Sequence, residues 1–325
     1  MKKLYLIIIA LVLSTSFLHA QEHQCGSHDI MSKMMEEDEG FLRRVFILNR
    51  KIQMQQASGE ERSNTIHSIP VVIHVVHEGE PIGQGSNISD EQIFSAMDAL
   101  NEDFRKMTGT NGDGDGVDVR IEFCLAKRTP EGEATNGIVR IDGSIVPNYA
   151  EEGIRASGEV GAIELDIKGL STWDRESYMN VWIVNEIEDN DALNGIQGYA
   201  YFPVDHPVDG IVVLHNAFGT VGNIKPNTAL NRTFTHEVGH YFGLYHTFHD
   251  TDDCDDEINC DVQGDRVCDT PVTPLAVSCA NPACGNQQVE NYMDYTAESC
   301  RNMFTQGQKD RMRNALELER TSLLS

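Results

Sequence analysis

Basic residues are scarce in this chain of 325 residues. Its 25 lysines and arginines stand against 51 aspartates and glutamates, so the formal net charge at pH 7 is −26. Proteins bind nucleic acids and anionic membranes mainly through lysine and arginine side chains that neutralise phosphate. The composition therefore argues against both partners and favours a protein that binds cations or basic substrates.

Long apolar runs are absent after the first twenty residues, so we predict no membrane span in the mature protein. Residues 1–20 begin with a pair of lysines, continue with a short apolar run and end in a polar stretch at Ala20. This order is typical of a secretory signal peptide cleaved after Ala20, and it predicts a secreted protein, either extracellular or periplasmic. The alternative is a lipoprotein signal ending at Cys25, against which Gln24 argues because a small residue is expected there.

Pairs of close CxxC motifs are absent too, which argues against a cysteine zinc site. Six of the eight cysteines nevertheless cluster towards the C-terminus. Because an exported chain can form disulfides, we predict a loop-rich region held together by them, with a pairing that the sequence leaves open. The clustered residues are Cys254, Cys260, Cys268, Cys279, Cys284 and Cys300.

Hydrophobic periodicity predicts a mixture of strands and helices without an internal repeat. A strand over Ile69–Val76 precedes an amphipathic helix that begins after Ser89 with the spacing of a capping box and includes Phe94 among its periodic apolar positions. Further strands are predicted in VRIEFCLA, MNVWIV, GYAYF and IVVL, and further helices over Glu39–Gln55, in THEVGHYFGLYH and over Gln306–Leu318. The predicted fold class is α/β (α+β).

The segment THEVGHYFGLYH places three histidines and a glutamate among apolar residues. His236 and His240 are four residues apart, so one face of a helix can direct both towards a single metal ion. Glu237 follows the first histidine, where a general base can reach water held by the metal. Gly243 lets the chain leave the helix and bring His246 back as a third ligand. Three neutral imidazoles and one open position are typical of catalytic zinc.

This segment resembles the long zinc motif of the metzincins, H-E-x-x-H-x-x-G-x-x-H, a superfamily of zinc endopeptidases. A methionine turn is expected downstream in that superfamily, and NYMDY supplies one at Met293. With the segments IPVVIHVVHE, GLYHTF, GDRVCDTP and FTQGQKDRM, residues 68–318 are similar to pappalysins of the cytophagalysin branch. The resemblance implies a metzincin-type zincin catalytic domain with a twisted mixed sheet, an active-site helix and a disulfide-rich C-terminal subdomain.

The resemblance also implies a role for each matching residue. The three histidines would bind one zinc ion, and Glu237 would take a proton from water on the metal and pass it to the leaving amine. Met293 would form a hydrophobic floor beneath the metal, and Tyr295 would hydrogen-bond the tetrahedral oxyanion. The segment after the turn lines the pocket for the residue that follows the scissile bond, and here it carries Glu298. An acidic pocket favours cleavage before arginine or lysine.

The polar N-terminal part is predicted to be a pro-segment over residues 21–61, ahead of a catalytic domain over residues 62–325 with a subdomain boundary near 243/244. Zymogens of similar metzincins can use a pro-segment cysteine as the fourth zinc ligand, and Cys25 is the candidate here. A disulfide with Cys124 and a free thiol are the alternatives. Cleavage before or after Arg62 would activate the enzyme, and the former fits self-processing before a basic residue.

Carboxylates crowd the stretch from residue 249 to residue 269, where they would repel one another. Calcium would relieve that repulsion, similar proteases bind it in this region, and a solvated acidic loop is the alternative. The candidate calcium ligands are Asp253, Asp256, Asp261, Asp265 and Asp269. A second acidic stretch, NGDGDG, matches most of a calcium loop whose last ligand would be Glu122. Because Glu122 falls in a predicted strand, a flexible surface loop is preferred there.

Two other functions compete with peptide hydrolysis. An inactive binding module that keeps zinc for structure would be expected to lack the general base, yet Glu237 is present with all three histidines. A calcium-dependent adhesion domain would explain the acidic loops but not the zinc motif or the methionine turn. The sequence therefore favours a metalloendopeptidase that acts on protein or peptide substrates, with one catalytic zinc and structural calcium.

Overall fold

The computed structural model describes residues 25–58, 64–190, 195–254, 257–276 and 278–324. The predicted signal peptide and the bonds on either side of Arg62 lie outside these ranges. In chain order the helices and strands are α1 Ser27–Glu37, α2 Glu39–Ala57, β1 His67–His77, α3 Asp90–Phe104, β2 Ile121–Leu125, β3 Ile138–Asp142, α4 Tyr149–Glu152, α5 Glu164–Lys168, β4 Met179–Val184, β5 Gly198–Ala200, β6 Ile211–Leu214, α6 Arg232–Tyr241 and α7 Gln306–Glu319. Short 3-10 turns cover Gly143–Ile145, His215–Ala217, Pro226–Thr228 and Thr321–Leu324.

One mixed sheet organises the molecule, with its strands in the order β2-β1-β4-β6-β5. Strand β3 pairs with the later residues of β1, on the same edge where β2 pairs with the earlier residues of β1. All pairings are parallel except that of β5, which runs antiparallel to β6 and ends the sheet. Strands β4 and β6 are buried throughout, as expected for apolar runs inside a parallel sheet. The predicted mixed α/β fold is confirmed.

Helix α3 packs one apolar face into the core, although two details of its prediction are wrong. The Ser89 hydroxyl caps the helix by accepting from the N–H of Gln92 at 3.2 Å. The Gln92 side chain does not complete a capping box, because its Oε1 accepts from the N–H of Asn223 at 3.0 Å while its amide donates to the carbonyls of His215 and Phe218. Phe94 is exposed rather than part of the core, because the periodic face of the helix runs through other residues.

The N-terminal segment contains two helices, of which only α2 was predicted, and it packs on the rest of the chain. Helix α2 buries Phe41, Val45, Leu48 and Ile52 in a cluster that includes Phe202, Val204 and Ala315. Asn49 of α2 accepts a hydrogen bond from the buried Arg311 of α7 at 2.6 Å. These contacts make residues 27–57 an integral layer of the structure, rather than a loosely attached segment.

Three disulfides hold the C-terminal region, as predicted, and the structure supplies their pairing. The bonds are Cys254–Cys284, Cys260–Cys268 and Cys279–Cys300. Cys25 and Cys124 are free; Cys25 is buried and Cys124 is exposed on β2, so the alternative disulfide between them is not formed. In the part of the chain that the structure describes, no helix is both long and apolar enough to cross a membrane.

The NGDGDG loop lies at the surface, as predicted, with Asn111, Asp113 and Asp115 exposed and its glycines packed against the rest of the chain. A Cβ on Gly114 would lie 2.2 Å from the side chain of Asn302, and one on Gly116 would lie 2.4 Å from the carbonyl of Phe304. Glycine is needed where the backbone approaches so closely. Glu122 lies in β2 and pairs with Arg105 at 3.0 Å, instead of closing a calcium loop.

Candidate active site

Tertiary contacts fix the N-terminus of α6, the helix that begins the zinc motif. Asn231 precedes the helix with a left-handed φ of 63°, a conformation that asparagine tolerates. The carboxylate of Glu298 accepts hydrogen bonds at 2.8 and 3.0 Å from two backbone N–H groups around this helix start. Arg232 is buried and forms an ion pair with Asp103 of α3. The structure thus places Glu298 at the end of the active-site helix, with both carboxylate oxygens engaged.

Three histidine side chains converge at the other end of α6. The Nε2 atoms of His236, His240 and His246 lie 3.0–3.1 Å from one another. Nδ1 of His236 donates to the carbonyl of Tyr292 at 2.7 Å. Nδ1 of His240 donates in the same way to the carbonyl of Leu244 at 2.7 Å. Because a carbonyl only accepts, these Nδ1 atoms carry the protons, and the Nε2 lone pairs of both rings point into the cluster.

A zinc ion suits this cluster. Tetrahedral zinc with bonds of about 2.0–2.1 Å holds its ligand nitrogens roughly 3.3 Å apart, close to the observed 3.0–3.1 Å. Burial lowers the pKa of His240 to about 3 and lowers the pKa values of the other two histidines, so the rings are neutral ligands at pH 7. Gly243 has a φ of 86° and permits the turn that returns His246 to the site.

The methionine turn packs against the histidine-bearing helix. Met293 is fully buried, and its sulfur lies so near Gly239 that a Cβ on that glycine would be 2.5 Å away. Position 239 must therefore lack a side chain. The ring of Tyr295 lies 4.7 Å from that of His246, and its hydroxyl donates to the carbonyl of Cys25 at 3.1 Å. Both residues of the turn thus lie next to the histidine cluster.

Glu237 is fully buried beside the histidines. Its Oε2 accepts hydrogen bonds from the Ser27 hydroxyl at 3.1 Å and from the Cys25 thiol at 3.4 Å. Its Oε1 has no partner among the residues that the structure describes. Burial raises the pKa of Glu237 to about 8, although both hydrogen bonds oppose the shift. A cation at the histidines would oppose this shift and favour the carboxylate.

Residues 25–27 run alongside β5 and extend the sheet at the site. The N–H of Gly26 donates to the carbonyl of Gly198 at 2.9 Å. The Ser27 hydroxyl accepts from the N–H of Ala200 at 2.9 Å. The edge of β5 that faces away from β6 is therefore occupied by the N-terminal segment.

The Cys25 sulfur belongs to the same cluster as the three Nε2 atoms, all within 4.8 Å of one another. Burial and the charge of Glu237 raise the pKa of this thiol well above its ordinary value. A cation at the histidines would reverse that effect and favour a thiolate. Beside Cys25, His246 and Tyr295 an open cleft of about 520 Å³ remains.

The five candidate calcium ligands are not gathered in one place within the described ranges. Asp265 is buried and accepts from Val267 and Thr270. Asp269 accepts from the Thr305 hydroxyl at 2.7 Å and from a backbone N–H at the start of α7 at 2.8 Å. Asp253 accepts from the N–H of residue 254, Asp261 lies beside the Cys260–Cys268 disulfide, and Asp256 lies outside the described residues. Calcium stays a prediction.

Sequence reasoning missed Ser27 and did not single out Ala200 or Arg301. Ser27 reaches Glu237 across 210 residues of sequence, and nothing local distinguishes it from other serines. Arg301 is buried near the methionine turn and donates to the carbonyl of Asp294 at 3.4 Å.

Comparisons with known proteins agree with this geometry. The sequence profile of the peptidase family described as pregnancy-associated plasma protein-A matches residues 164–317. An extracellular metalloprotease of Pyricularia oryzae is 41% identical over 258 residues, which cover 75% of this chain and 73% of that protein. An extracellular metalloprotease of Colletotrichum graminicola is 28% identical over 259 residues, covering 75% and 74% respectively.

Solved structures show the same fold. A promirolysin mutant of Tannerella forsythia has a TM-score of 0.70 at 28% identity, covering 93% of this chain and 97% of that chain. Mature mirolysin of that organism, in complex with a cleaved peptide, has a TM-score of 0.61 at 31% identity and covers 81% of this chain and 100% of that chain. The structure is thus zymogen-like. The chain belongs to the pappalysin family of metzincin metalloendopeptidases, whose catalytic metal is zinc.

Proposed function

We propose that this metalloendopeptidase is exported and made as a zymogen, that Cys25 keeps it latent, and that the mature enzyme cleaves before arginine or lysine. Residues 1–20 would be the signal peptide, residues 21–61 the pro-segment and residues 62–325 the catalytic domain. The observation that carries the proposal is the N-terminal segment itself, whose Cys25 and Ser27 reach the histidine cluster and Glu237.

The catalytic roles follow from the arrangement of the side chains. Zinc held by His236, His240 and His246 would supply a Lewis acid that polarises the scissile carbonyl and acidifies water. Glu237, with a pKa of about 8 in the zymogen, is suited to take a proton from water and return it to the leaving amine. Tyr295 presents its hydroxyl at the cleft, where it would donate to the oxyanion.

The test of catalysis compares the processed wild type with a Glu237→Ala variant on a peptide library, with cleavage sites identified by mass spectrometry. Hydrolysis by the wild type should disappear in the variant and on addition of a zinc chelator. Zinc content measured on both proteins should be equal, because Glu237 is not a ligand. A zinc-loaded, folded wild type that cuts no peptide after removal of residues 21–61 would contradict the proposal.

Latency through Cys25 is supported by the position of its sulfur in the histidine cluster. Cys25→Ala should raise the activity of the unprocessed chain above that of the unprocessed wild type, whereas Cys124→Ala, which removes the other free thiol, should leave it unchanged. Cobalt in place of zinc gives a second readout, because a thiolate ligand adds a charge-transfer band to the spectrum. That band should be present in the zymogen and in Cys124→Ala, and absent in Cys25→Ala. Its absence from the wild-type zymogen would contradict the thiolate bond.

Cleavage before basic residues is supported by the charges around the methionine turn. Glu298 and Asp294 are both buried there, and the guanidinium of Arg301 is already accommodated among them. Burial raises the pKa of Glu298, while the positive charge of Arg301 opposes the shift. Two buried carboxylates against one guanidinium leave this wall an excess of acidic groups, which favours a basic side chain of the substrate.

A further inference from the structure

Strand β5 borders Glu237 in the candidate active site, yet it is a short strand. It has three residues and one strand neighbour, β6, while its other edge contacts Cys25 and Gly26. So short an edge strand gains little from ladder hydrogen bonds alone. Once the N-terminal segment has left, contacts on the faces of β5 must hold the strand in place.

A buried polar cluster holds the face of β5 that points away from the histidines. Tyr199 and Tyr201 donate their hydroxyls to the two carboxylate oxygens of Glu164, at 3.0 and 2.5 Å. Lys168, one helical turn after Glu164 on α5, pairs with the same carboxylate at 2.7 Å and donates to the carbonyl of Val208 at 2.5 Å. The Glu164 carboxylate thus connects α5 to Tyr199 in β5 and to Tyr201 just after β5.

The cluster is mostly shielded from water, with 11% of the Glu164 side chain still exposed, and it tolerates little displacement. Lys168, Tyr199 and Tyr201 are all buried, and the Lys168 ammonium lies 4.7 Å from the Trp182 ring and 4.8 Å from the Tyr201 ring. Aromatic faces stabilise a cation in such positions. Moving either tyrosine would leave a buried charge or hydroxyl without its partner, which is costly in a dry interior. The cluster therefore fixes the position of β5 relative to α5.

The opposite face of β5 borders the catalytic base. A Cβ on Gly198 would lie 3.1 Å from Cγ of Glu237 and 2.9 Å from the carbonyl of Val212. The N–H of Ala200 is the donor that Ser27 uses in the zymogen. The position of β5 consequently determines how close a chain bound along the edge of β5 lies to Glu237.

We propose that Glu164 is a positioning residue for peptide hydrolysis. Through the hydroxyls of Tyr199 and Tyr201 it holds β5 where an extended chain on the strand edge is presented to Glu237. This inference rests on the proposed peptide hydrolysis and adds that an extended substrate pairs with the edge of β5, as the N-terminal segment does in this structure. The pro-segment uses the same edge, so the cluster also sets the affinity of the pro-segment.

The test uses full-length protein processed to its mature form, with Tyr199 and Tyr201 both replaced by phenylalanine. This variant keeps both rings and the Glu164–Lys168 pair, so it removes only the two hydroxyl bonds. The KM for peptides long enough to pair with β5 should rise about tenfold, with kcat within about twofold of the wild type. Glu164→Gln should raise KM in the same direction.

The matched control is Tyr178→Phe, which removes a tyrosine bond of 2.9 Å to the carbonyl of Arg128 away from β5. An equal KM increase in this control, or a loss confined to kcat in the double variant, would overturn the inference. Calorimetry adds a readout that needs no hydrolysis: a synthetic peptide of residues 21–61 should bind the double variant about tenfold more weakly than the wild type. Unchanged binding would overturn the inference, whereas a wild type that binds this peptide but hydrolyses nothing would contradict the proposed function.

Discussion

The hydroxyl of Ser27 donates to Oε2 of Glu237 at 3.1 Å, so the N-terminal segment engages the proposed general base as well as approaching the histidine cluster. The same hydroxyl accepts from the N–H of Ala200 on β5. One buried side chain therefore occupies two groups that a substrate would need. Latency should depend on Ser27 in addition to Cys25.

Ser27→Ala should weaken inhibition of the mature enzyme by a peptide of residues 21–61. Leaving one partner of a buried hydrogen bond unsatisfied costs about 1–3 kcal/mol, so the inhibition constant should increase about tenfold. Ser32→Ala, on the same helix but partly exposed, is the control and should leave the constant unchanged. Equal constants for the wild-type and Ser27→Ala peptides would show that the bond to Glu237 does not contribute.

Gly198→Ala should impair catalysis without unfolding the protein. The added Cβ would lie 3.1 Å from Cγ of Glu237, so either the base or the strand must shift. We expect kcat/KM to fall by about 100-fold, because a displaced base loses its alignment with water. Gly285→Ala is the control, since nothing lies within 4 Å of a Cβ at that position. Wild-type activity in Gly198→Ala would mean that β5 does not confine the base.

Glu298→Gln separates two roles of this residue. Its oxygens accept from backbone N–H groups at the start of α6, so a structural role alone would lower the cleavage of all peptides to the same extent. A role in the specificity pocket would lower kcat/KM for peptides with arginine after the scissile bond about tenfold more than for matched peptides with leucine. We expect the second pattern, and parallel losses on the two peptides would refute the pocket assignment.

His74 should make the folded protein sensitive to acid. Burial lowers its pKa from 6.5 to about 4; Nε2 bonds Oδ1 of Asn180 at 2.9 Å and Nδ1 has no partner among the described residues. The unfolded chain therefore takes up this proton first, so the stability that a neutral His74 gives above pH 6.5 is lost as the pH falls towards 4. Between pH 7 and pH 5 the loss is about 2 kcal/mol.

Denaturant unfolding of the full chain at both pH values measures this loss. In the His74→Leu variant, the decrease in the free energy of unfolding from pH 7 to pH 5 should be about 2 kcal/mol smaller than in the wild type. This holds whatever the stability of the variant at pH 7. His77→Leu, on the same strand but partly exposed, should keep the wild-type dependence. A His74→Leu variant with the wild-type dependence would show that other groups cause the acid sensitivity.

Local patterns predicted most of the secondary structure. Strands β4 and β6 match MNVWIV and IVVL residue for residue, because buried parallel strands are continuous apolar runs. Strand β3 was missed because its residues are only partly buried and its pairing comes from β1. Helix α1 was missed because its buried apolar residues, Ile30 and Met31, are surrounded by polar ones in the sequence and are buried only by contacts with the rest of the fold.

The sequence by itself determined the metal chemistry: the spacing of His236 and His240 and the glycine turn before His246 are local properties, set by helix geometry within eleven residues. Only the tertiary structure decided which cysteines pair, that Glu298 caps α6, and that Ser27 reaches Glu237. Each of these contacts joins segments far apart along the chain. Their formation depends on how sheet, helices and N-terminal segment bury their apolar faces together, which no short stretch of sequence encodes.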